Sequence, residues 1–317
     1  MSEKTPHPPI ATLTLNPTLD VSYTIPDLIA DQKVHATQTR SDPGGNGVNV
    51  ARGLQALGMH AHACLITAGE IGVLLERLLV HRVDDQYPVQ VAGETRINCT
   101  LLRQQPRTQY EIDGIGPKVT KAALDKISKA FLRFSENGIG VLTGSVPPGV
   151  PHDVYAQLAR RLRERNGRVV VDAQSNLLWV ALPEHPYLVK PNRYELETLC
   201  GKKLPKLEDV VREAQNLQQG GVQHVCVSLG AQGALLVEAD GTYYAEAPEV
   251  TVVSTVGAGD SMVAGLVFGL AQGEEPMQVL RLGVACGSAT ATKPGTDIFT
   301  KHDVTVLLDK IEVRRLE

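Results

Sequence analysis

From about residue 115 onward, short β-branched runs alternate with amphipathic stretches, and few architectures accommodate that rhythm. Ile139–Thr143, Arg168–Asp172, Tyr187–Lys190 and His224–Leu229 are near-continuous apolar runs, the pattern of strands covered on both faces. Between them, Lys121–Ser135, Asp153–Arg165 and Glu208–Gln218 repeat apolar residues at three and four, as helices with one buried stripe do. Alternating strand and helix predicts βαβ units, hence an α/β fold with a mostly parallel sheet and helices on both faces. Ala234–Val237 and Thr242–Ala245 flank Asp240-Gly241 and predict a hairpin. The predicted strands end in small or polar residues: Thr143-Gly144-Ser145, Asp172-Ala173-Gln174, Lys190-Pro191-Asn192 and Ser228-Leu229-Gly230. Such residues suit a ligand crevice at the sheet's carboxyl edge, although turn chemistry alone explains each one.

The N-terminal part reads differently. Asp20–Ile25, Arg96–Arg103 and Thr108–Ile112 alternate polar and apolar residues, as strands exposed on one face do, while Val48–Leu57 reads as a helix of the main body. The expected division is a main domain of 1–18, 38–93 and 114–317, with a discontinuous β-sheet lid of 19–37 and 94–113. A small sheet of this kind leaves an apolar face for substrate or a second subunit, and the expected assembly is a homodimer.

Bulk properties narrow the partners. A formal net charge of −4 without a long basic run argues against nucleic acid or an anionic membrane, so an anionic substrate needs local positive charge. No apolar stretch reaches the roughly 18 residues that span a bilayer. The opening MSEKTPHPPI lacks the apolar core of a signal peptide and reads as a frayed tail. The five cysteines, without a C-x-x-C, read as buried reduced thiols, which places the expectation in the cytoplasm.

Three segments carry candidate chemistry. Ser254-Thr255-Val256-Gly257-Ala258-Gly259-Asp260-Ser261 precedes Met262–Leu270, apolar almost all round and so a buried helix. A helix entered through Gly-Ala-Gly offers bare amides and a positive dipole end to an anion. Asp260 beside that anion is either a general base or an N-cap. In Lys190-Pro191-Asn192-Arg193-Tyr194-Glu195-Leu196, Asn192 and Glu195 are either a capping pair or organisers of water around Mg²⁺. Asp42-Pro43-Gly44-Gly45-Asn46-Gly47-Val48-Asn49-Val50-Ala51-Arg52 is either a plain glycine loop or a close approach of backbone to ligand. There is no G-x-x-x-x-G-K-[ST], and Gly257-x-Gly259 lacks a dinucleotide site's third glycine and context.

Together these segments resemble the ribokinase-like PfkB carbohydrate kinase family. N-P-x-x-D (Asn16 to Asp20), P-G-G-x-G-x-N-V-A, T-G-S-V-P-P-G (Thr143 to Gly149), K-P-N-x-x-E-L, V-S-L-G-x-x-G (Val227 to Gly233) and S-T-V-G-A-G-D-S occur in that family's order. The resemblance covers the chain after its first ten residues and is nearest to the branch of phosphofructokinases and tagatose-6-phosphate kinases. It implies a ribokinase-like fold and transfer of the γ-phosphoryl of ATP to a phosphorylated ketohexose. Asp260 would be the base, with the amides of Gly257, Ala258 and Gly259 as the anion hole. Asp20, Gly45 and Asn49 would hold sugar hydroxyls. Lys33, Arg96 and Ser145 would face the existing phosphate, with Asn98 beside them, and Asn46, next to Gly45, would also bind substrate. Lys190, Asn192, Ser228, Gly230, Gly233 and Thr255 would line the ATP site, and Asn192 and Glu195 would govern Mg²⁺ through water.

The resemblance also raises K⁺, but Lys293-Pro294-Gly295-Thr296-Asp297 differs where the family binds a monovalent cation, so no residues are assigned to it. Asp172-Ala173-Gln174-Ser175-Asn176 likewise departs from the usual D-x-S-G. Lys33-Val34-His35 ahead of D-P-G-G resembles minor bacterial 6-phosphofructokinases, whereas Thr95-Arg96-Ile97-Asn98 and Lys190–Glu197 resemble fructose-1-phosphate kinases. Asn46 replaces the lysine usual in the 1-phosphate and tagatose branches and the glycine of the minor 6-phosphofructokinases. Loss of the lysine favours fructose 6-phosphate as acceptor, with fructose 1,6-bisphosphate as product.

Overall fold

Apolar runs with no polar face become the centre of the molecule. A computed structural model describes residues 7–316, so most of the N-terminal tail lies outside the described residues. In chain order the first half contains β1 (Ile10–Thr14), β2 (Thr18–Ile25), β3 (Gln38–Gly44), α1 (Asn46–Leu57), β4 (His62–Ala68), α2 (Gly69–Leu79), β5 (Asp85–Val91), β6 (Arg96–Arg103) and β7 (Thr108–Ile112). The middle adds α3 (Lys121–Phe134), β8 (Ile139–Thr143), α4 (Val154–Arg163), β9 (Arg168–Asp172), α5 (Ser175–Ala181), β10 (Leu188–Val189), α6 (Arg193–Cys200) and α7 (Leu207–Gln219). The rest is β11 (His224–Ser228), β12 (Ala234–Glu238), β13 (Gly241–Ala245), α8 (Ala258–Gln272), α9 (Pro276–Ala291), α10 (Lys301–Leu308) and β14 (Val313–Leu316).

Ten strands form the main sheet in the order β14-β13-β12-β11-β10-β9-β8-β1-β4-β5. Pairing is parallel from β5 through β11, and antiparallel from β11 to β14. The pleat sends alternate residues to opposite faces. Leu13, Leu142 and Val171 join the core beneath α3 to α7, while Ile10, Val141 and Val170 join the core beneath α1, α8, α9 and α10. Gly53 lets α1 and α8 approach closely, since a Cβ there would lie 2.6 Å from Cβ of Ala264.

The small sheet has the order β3-β2-β6-β7, with β2 and β6 parallel. It includes Gln38–Gly44, so the expected boundary at 38, which gave this segment to the main body, is corrected. Gln-Thr-Arg-Ser-Asp-Pro-Gly has no apolar alternation to announce a strand, and its hydrogen bonds to β2 decide the matter. The hairpin also differs in register from the expected one. Glu238 pairs with Gly241, so the turn is Ala239-Asp240, and Gly241 sits in the strand where a Cβ would meet Nε of Arg315 at 2.9 Å.

Candidate active site

Because seven neighbouring strands run parallel, they deliver their last residues to one edge. Asn16 follows β1, Ser145 follows β8, Asp172 ends β9, Lys190 follows β10 and Ser228 ends β11. Helices α1 and α8 both begin at this edge, after glycines. Gly45, at φ 119°, precedes α1, and a Cβ on it would lie 2.8 Å from Cγ2 of Thr14. Gly257, at φ 76°, caps α8 in the left-handed region.

Asp260 therefore stands at the third position of α8, not at its cap. It is 6% exposed, and both its oxygens are held from α1: Asn46 Nδ2 donates to Oδ1 and Asn49 Nδ2 to Oδ2, each at 2.9 Å. Three-residue spacing on a helix puts these two amides on one face, and Arg52 continues it, its Nη1 donating to Asn49 Oδ1 at 3.0 Å. Burial, then the charge of Asp172, pushes the Asp260 carboxyl up to about 7, with the two amides and Lys190 pulling the other way. A carboxylate poised there exchanges protons near neutrality. Among the first amides of α8, Ala258 N–H turns back to Thr255 O at 3.3 Å, while those of Gly257 and Gly259 have no protein partner among the described residues.

Lys190 completes the positive side of this edge. Its Nζ lies 3.3 Å from Asp172 and would be 3.5 Å from a Cβ on Gly259, beside the start of α8. Burial opposes its charge, but Asp172, Glu195 and Asp260 hold Lys190 above its ordinary value. Asn192 and Glu195 form a reciprocal capping box: Asn192 Oδ1 accepts from Glu195 N, and Glu195 Oε2 from Asn192 N, both at 2.8 Å. Burial raises the Glu195 carboxyl, and nearby Asp172 adds to this. The capping reading holds for the chain alone. Ser228 N donates to Pro191 O, placing Ser228 beside this motif. Gly230 (φ 62°) is exposed in the turn after β11. Gly233 (φ 95°) has a structural need of its own, because a Cβ would fall 1.9 Å from Ala245 O. Thr255 is exposed in the turn before α8.

In front of Asp260 lies a cleft of about 180 Å³ under the small sheet, lined among others by Asp20, Gly45, Asn46, Asn49, Arg96 and Asn98. A larger cavity of about 600 Å³ shares Asp20, Thr100, Val256 and Thr296 with it but does not reach Asp260. Gly44 is required by Asp20, whose Oδ2 lies 2.1 Å from where a Cβ would be. Burial pushes the Asp20 carboxyl up to about 6 against Thr18, Arg96 and Asn98. Arg96 Nε donates to Asn16 O at 3.2 Å, and Asn16 Nδ2 donates to Ser145 Oγ at 3.0 Å, so Arg96 and Ser145 are joined through one residue. Lys33 is not gathered in: it lies exposed between β2 and β3 and lines neither cavity. Asp172 and Arg52 lay in segments quoted from the sequence but were given no individual role there. A strand ending in Asp beside one ending in Lys was the available signal for the first, and the Asn-x-x-Asn-x-x-Arg spacing for the second.

Strand register makes the small sheet two-faced. Asp20, Ser22, Thr24, Asn98 and Thr100 point one way, toward the clefts. Ile97, Tyr110 and Ile112 stand exposed, at 43%, 39% and 58%, and lie in register with Val21, Tyr23 and Leu101 on the other face, Ile112 at the end of β7 also bordering the smaller cleft.

Comparison with known proteins identifies the family. A family model described as pfkB family carbohydrate kinase matches residues 16–303. The 1-phosphofructokinase of Bacillus subtilis (strain 168) is 33% identical over 307 residues, covering 97% of this chain and 100% of that protein. The ATP-dependent 6-phosphofructokinase isozyme 2 of Escherichia coli (strain K12) is 34% identical over 296 residues, covering 93% and 96%. The solved phosphofructokinase-2 from Escherichia coli in complex with substrates and products superposes with a TM-score of 0.91 at 33% identity, covering 95% of this chain and 98% of that one. That protein has also been solved with fructose-6-phosphate, with potassium, and as a tetrameric inhibited form.

Proposed function

The chain belongs to the pfkB family of carbohydrate kinases, as an ATP-dependent phosphofructokinase, and from that premise we propose that it transfers the γ-phosphoryl of ATP to fructose 6-phosphate. The product is fructose 1,6-bisphosphate. The observation that carries this reading is the Asp260 carboxylate, held at a glycine-lined helix start and opening on a cleft that contains Arg96.

In this reading Asp260 accepts the proton of the sugar's free hydroxyl. That oxygen attacks the γ-phosphorus as the bond to the β-phosphate oxygen breaks and ADP leaves. The Gly257 and Gly259 amides and Lys190 stabilise charge on the transferred group without having to reorganise. Asp20 and Asn49 orient the sugar, and Arg96, with Ser145 and Asn98, holds the phosphate already present. The oxygen donors of Asn192 and Glu195 fit Mg²⁺, a hard cation that keeps several waters. One oxygen of each already accepts a backbone N–H, which favours contact through water. When bound, Mg²⁺ would supply neutralising charge at the β- and γ-phosphates. The exposed apolar face of the small sheet supports a homodimer built through it.

A second reading, fructose 1-phosphate giving the same product, is favoured by the Bacillus subtilis relative and by Thr95–Asn98. The test is kcat/KM measured side by side for fructose 6-phosphate, fructose 1-phosphate and tagatose 6-phosphate. The proposal expects fructose 6-phosphate to lead by tenfold or more, about 1.4 kcal/mol of discrimination. A lead for fructose 1-phosphate replaces it with the second reading.

A further inference from the structure

Further along α1, behind Asn49 and separate from the cleft lining, Arg52, Gln55, Ala56, His81, Arg82, Asp297 and Ile298 line a groove of about 280 Å³. Arg52 is only 5% exposed, yet it has no carboxylate within ion-pairing distance among the described residues. Its three bonds, to Asn49 Oδ1, Pro43 O and Thr296 O, all use Nη1. Nε and Nη2 make no hydrogen bond to the described protein. Arg82 is exposed and likewise unpaired, and its charge opposes that of Arg52. Asp297, the one carboxylate of the lining, is engaged by Arg40.

A largely buried guanidinium with donors to spare shares this groove with a second unpaired guanidinium, and the two carboxylates whose charge supports it, Asp42 and Asp297, are both engaged by Arg40. We propose that this groove binds a small phosphate-class dianion, free or as a monoester, bridged between Arg52 and Arg82 with Gln55 and His81 beside it. Arg52 donates to Asn49, which in turn donates to Asp260, so the occupant of this groove touches the residue that holds one of the two amides orienting the reactive carboxylate. The inference does not depend on which sugar phosphate is the acceptor.

The test follows arginine Nε–Hε signals of the full chain by NMR during titration with inorganic phosphate and, separately, with phenyl phosphate. Sodium chloride at matched ionic strength is the control. The signals of Arg52 and Arg82 are expected to move together and saturate, and R82A is expected to weaken the Arg52 response about tenfold, the loss of one charge-assisted contact. Arg96 serves as an independent reporter of phosphate in the catalytic cleft. Tighter binding of phenyl phosphate would identify a monoester as the better ligand of the same groove. Three outcomes overturn the proposal: Arg52 and Arg82 silent while Arg96 responds, an Arg52 response unchanged in R82A, or the same shifts with chloride alone.

Discussion

Asn46 Nδ2 stands 2.9 Å from Oδ1 of Asp260 across 214 residues of sequence, and Asn49 mirrors it on the other oxygen. Two neutral donors thus fix the carboxylate's rotamer without adding a charge to quench its basicity. Asp260→Asn keeps the shape but cannot take a proton. Turnover is expected to fall by roughly 10²–10⁴-fold with ATP affinity retained, measured by single-turnover kinetics and ATP titration. Near-normal turnover would remove Asp260 from the role of base.

The same contacts set a pH dependence. The base must be ionised, so kcat/KM is expected to rise with pH through a limb centred near 7, where burial places the Asp260 carboxyl. The amides favour the charged form, so Asn49→Ala moves that limb upward. Stability responds with the opposite sense. A carboxyl raised in the fold above its ordinary 3.8 costs nothing while protonated, and its penalty grows as pH climbs toward 7. Urea unfolding at pH 5 and pH 8 should therefore show Asp260→Asn gaining on the native chain at the higher pH, a difference on the order of a few kcal/mol at most. A pH-independent difference would contradict the burial argument.

Asp260 was legible in the sequence because glycines at a helix start are a local signal, and Gly257 and Gly259 announced one. Asn46 and Asn49 were named through the family resemblance as substrate-side residues, and their grip on Asp260 exists only once α1 and α8 lie side by side. Asp172 against Lys190 was not legible, since that contact exists only once β9 and β10 lie parallel and side by side. β3 was missed for a related reason: a polar edge segment has no periodicity, and its strand state comes from pairing with β2. Lys33 was selected by motif resemblance, which fixes a position along the chain but not where a long connection carries it.

Gly44 and Asp20 share one volume, with a Cβ on Gly44 falling 2.1 Å from the carboxylate oxygen. Gly44→Ala must push aside Asp20, which lines the cleft and is proposed to orient the sugar. The KM for sugar phosphate is expected to rise about tenfold or more with the KM for ATP little changed. Equal effects on both substrates would indicate general damage to the fold instead.

Arg96 is the one cation lining the smaller cleft among the described residues, and burial lowers its pKa against the help of Asp113 and Asp20. In the proposed reading an anionic acceptor supplies its partner. Arg96→Ala should raise the sugar-phosphate KM by roughly 10²-fold, the scale of a charged hydrogen bond left unmade, whereas Arg96→Lys should lose less. Unchanged KM in both variants would point to an unphosphorylated acceptor.

The small sheet turns its polar side to the cleft and leaves Ile97, Tyr110 and Ile112 exposed on the other. An isologous pairing of two such faces would bury this apolar patch, and the same association would hold both sheets over their clefts. Light scattering is expected to give twice the chain mass at micromolar concentration. Ile112→Lys places a charge on this apolar face and should weaken association about tenfold or more. Because Ile112 is 58% exposed in the single chain, the substitution should leave the melting temperature of isolated monomer almost unmoved, which separates loss of the interface from loss of the fold. A monomer at every concentration tested would leave that apolar face without the partner proposed for it.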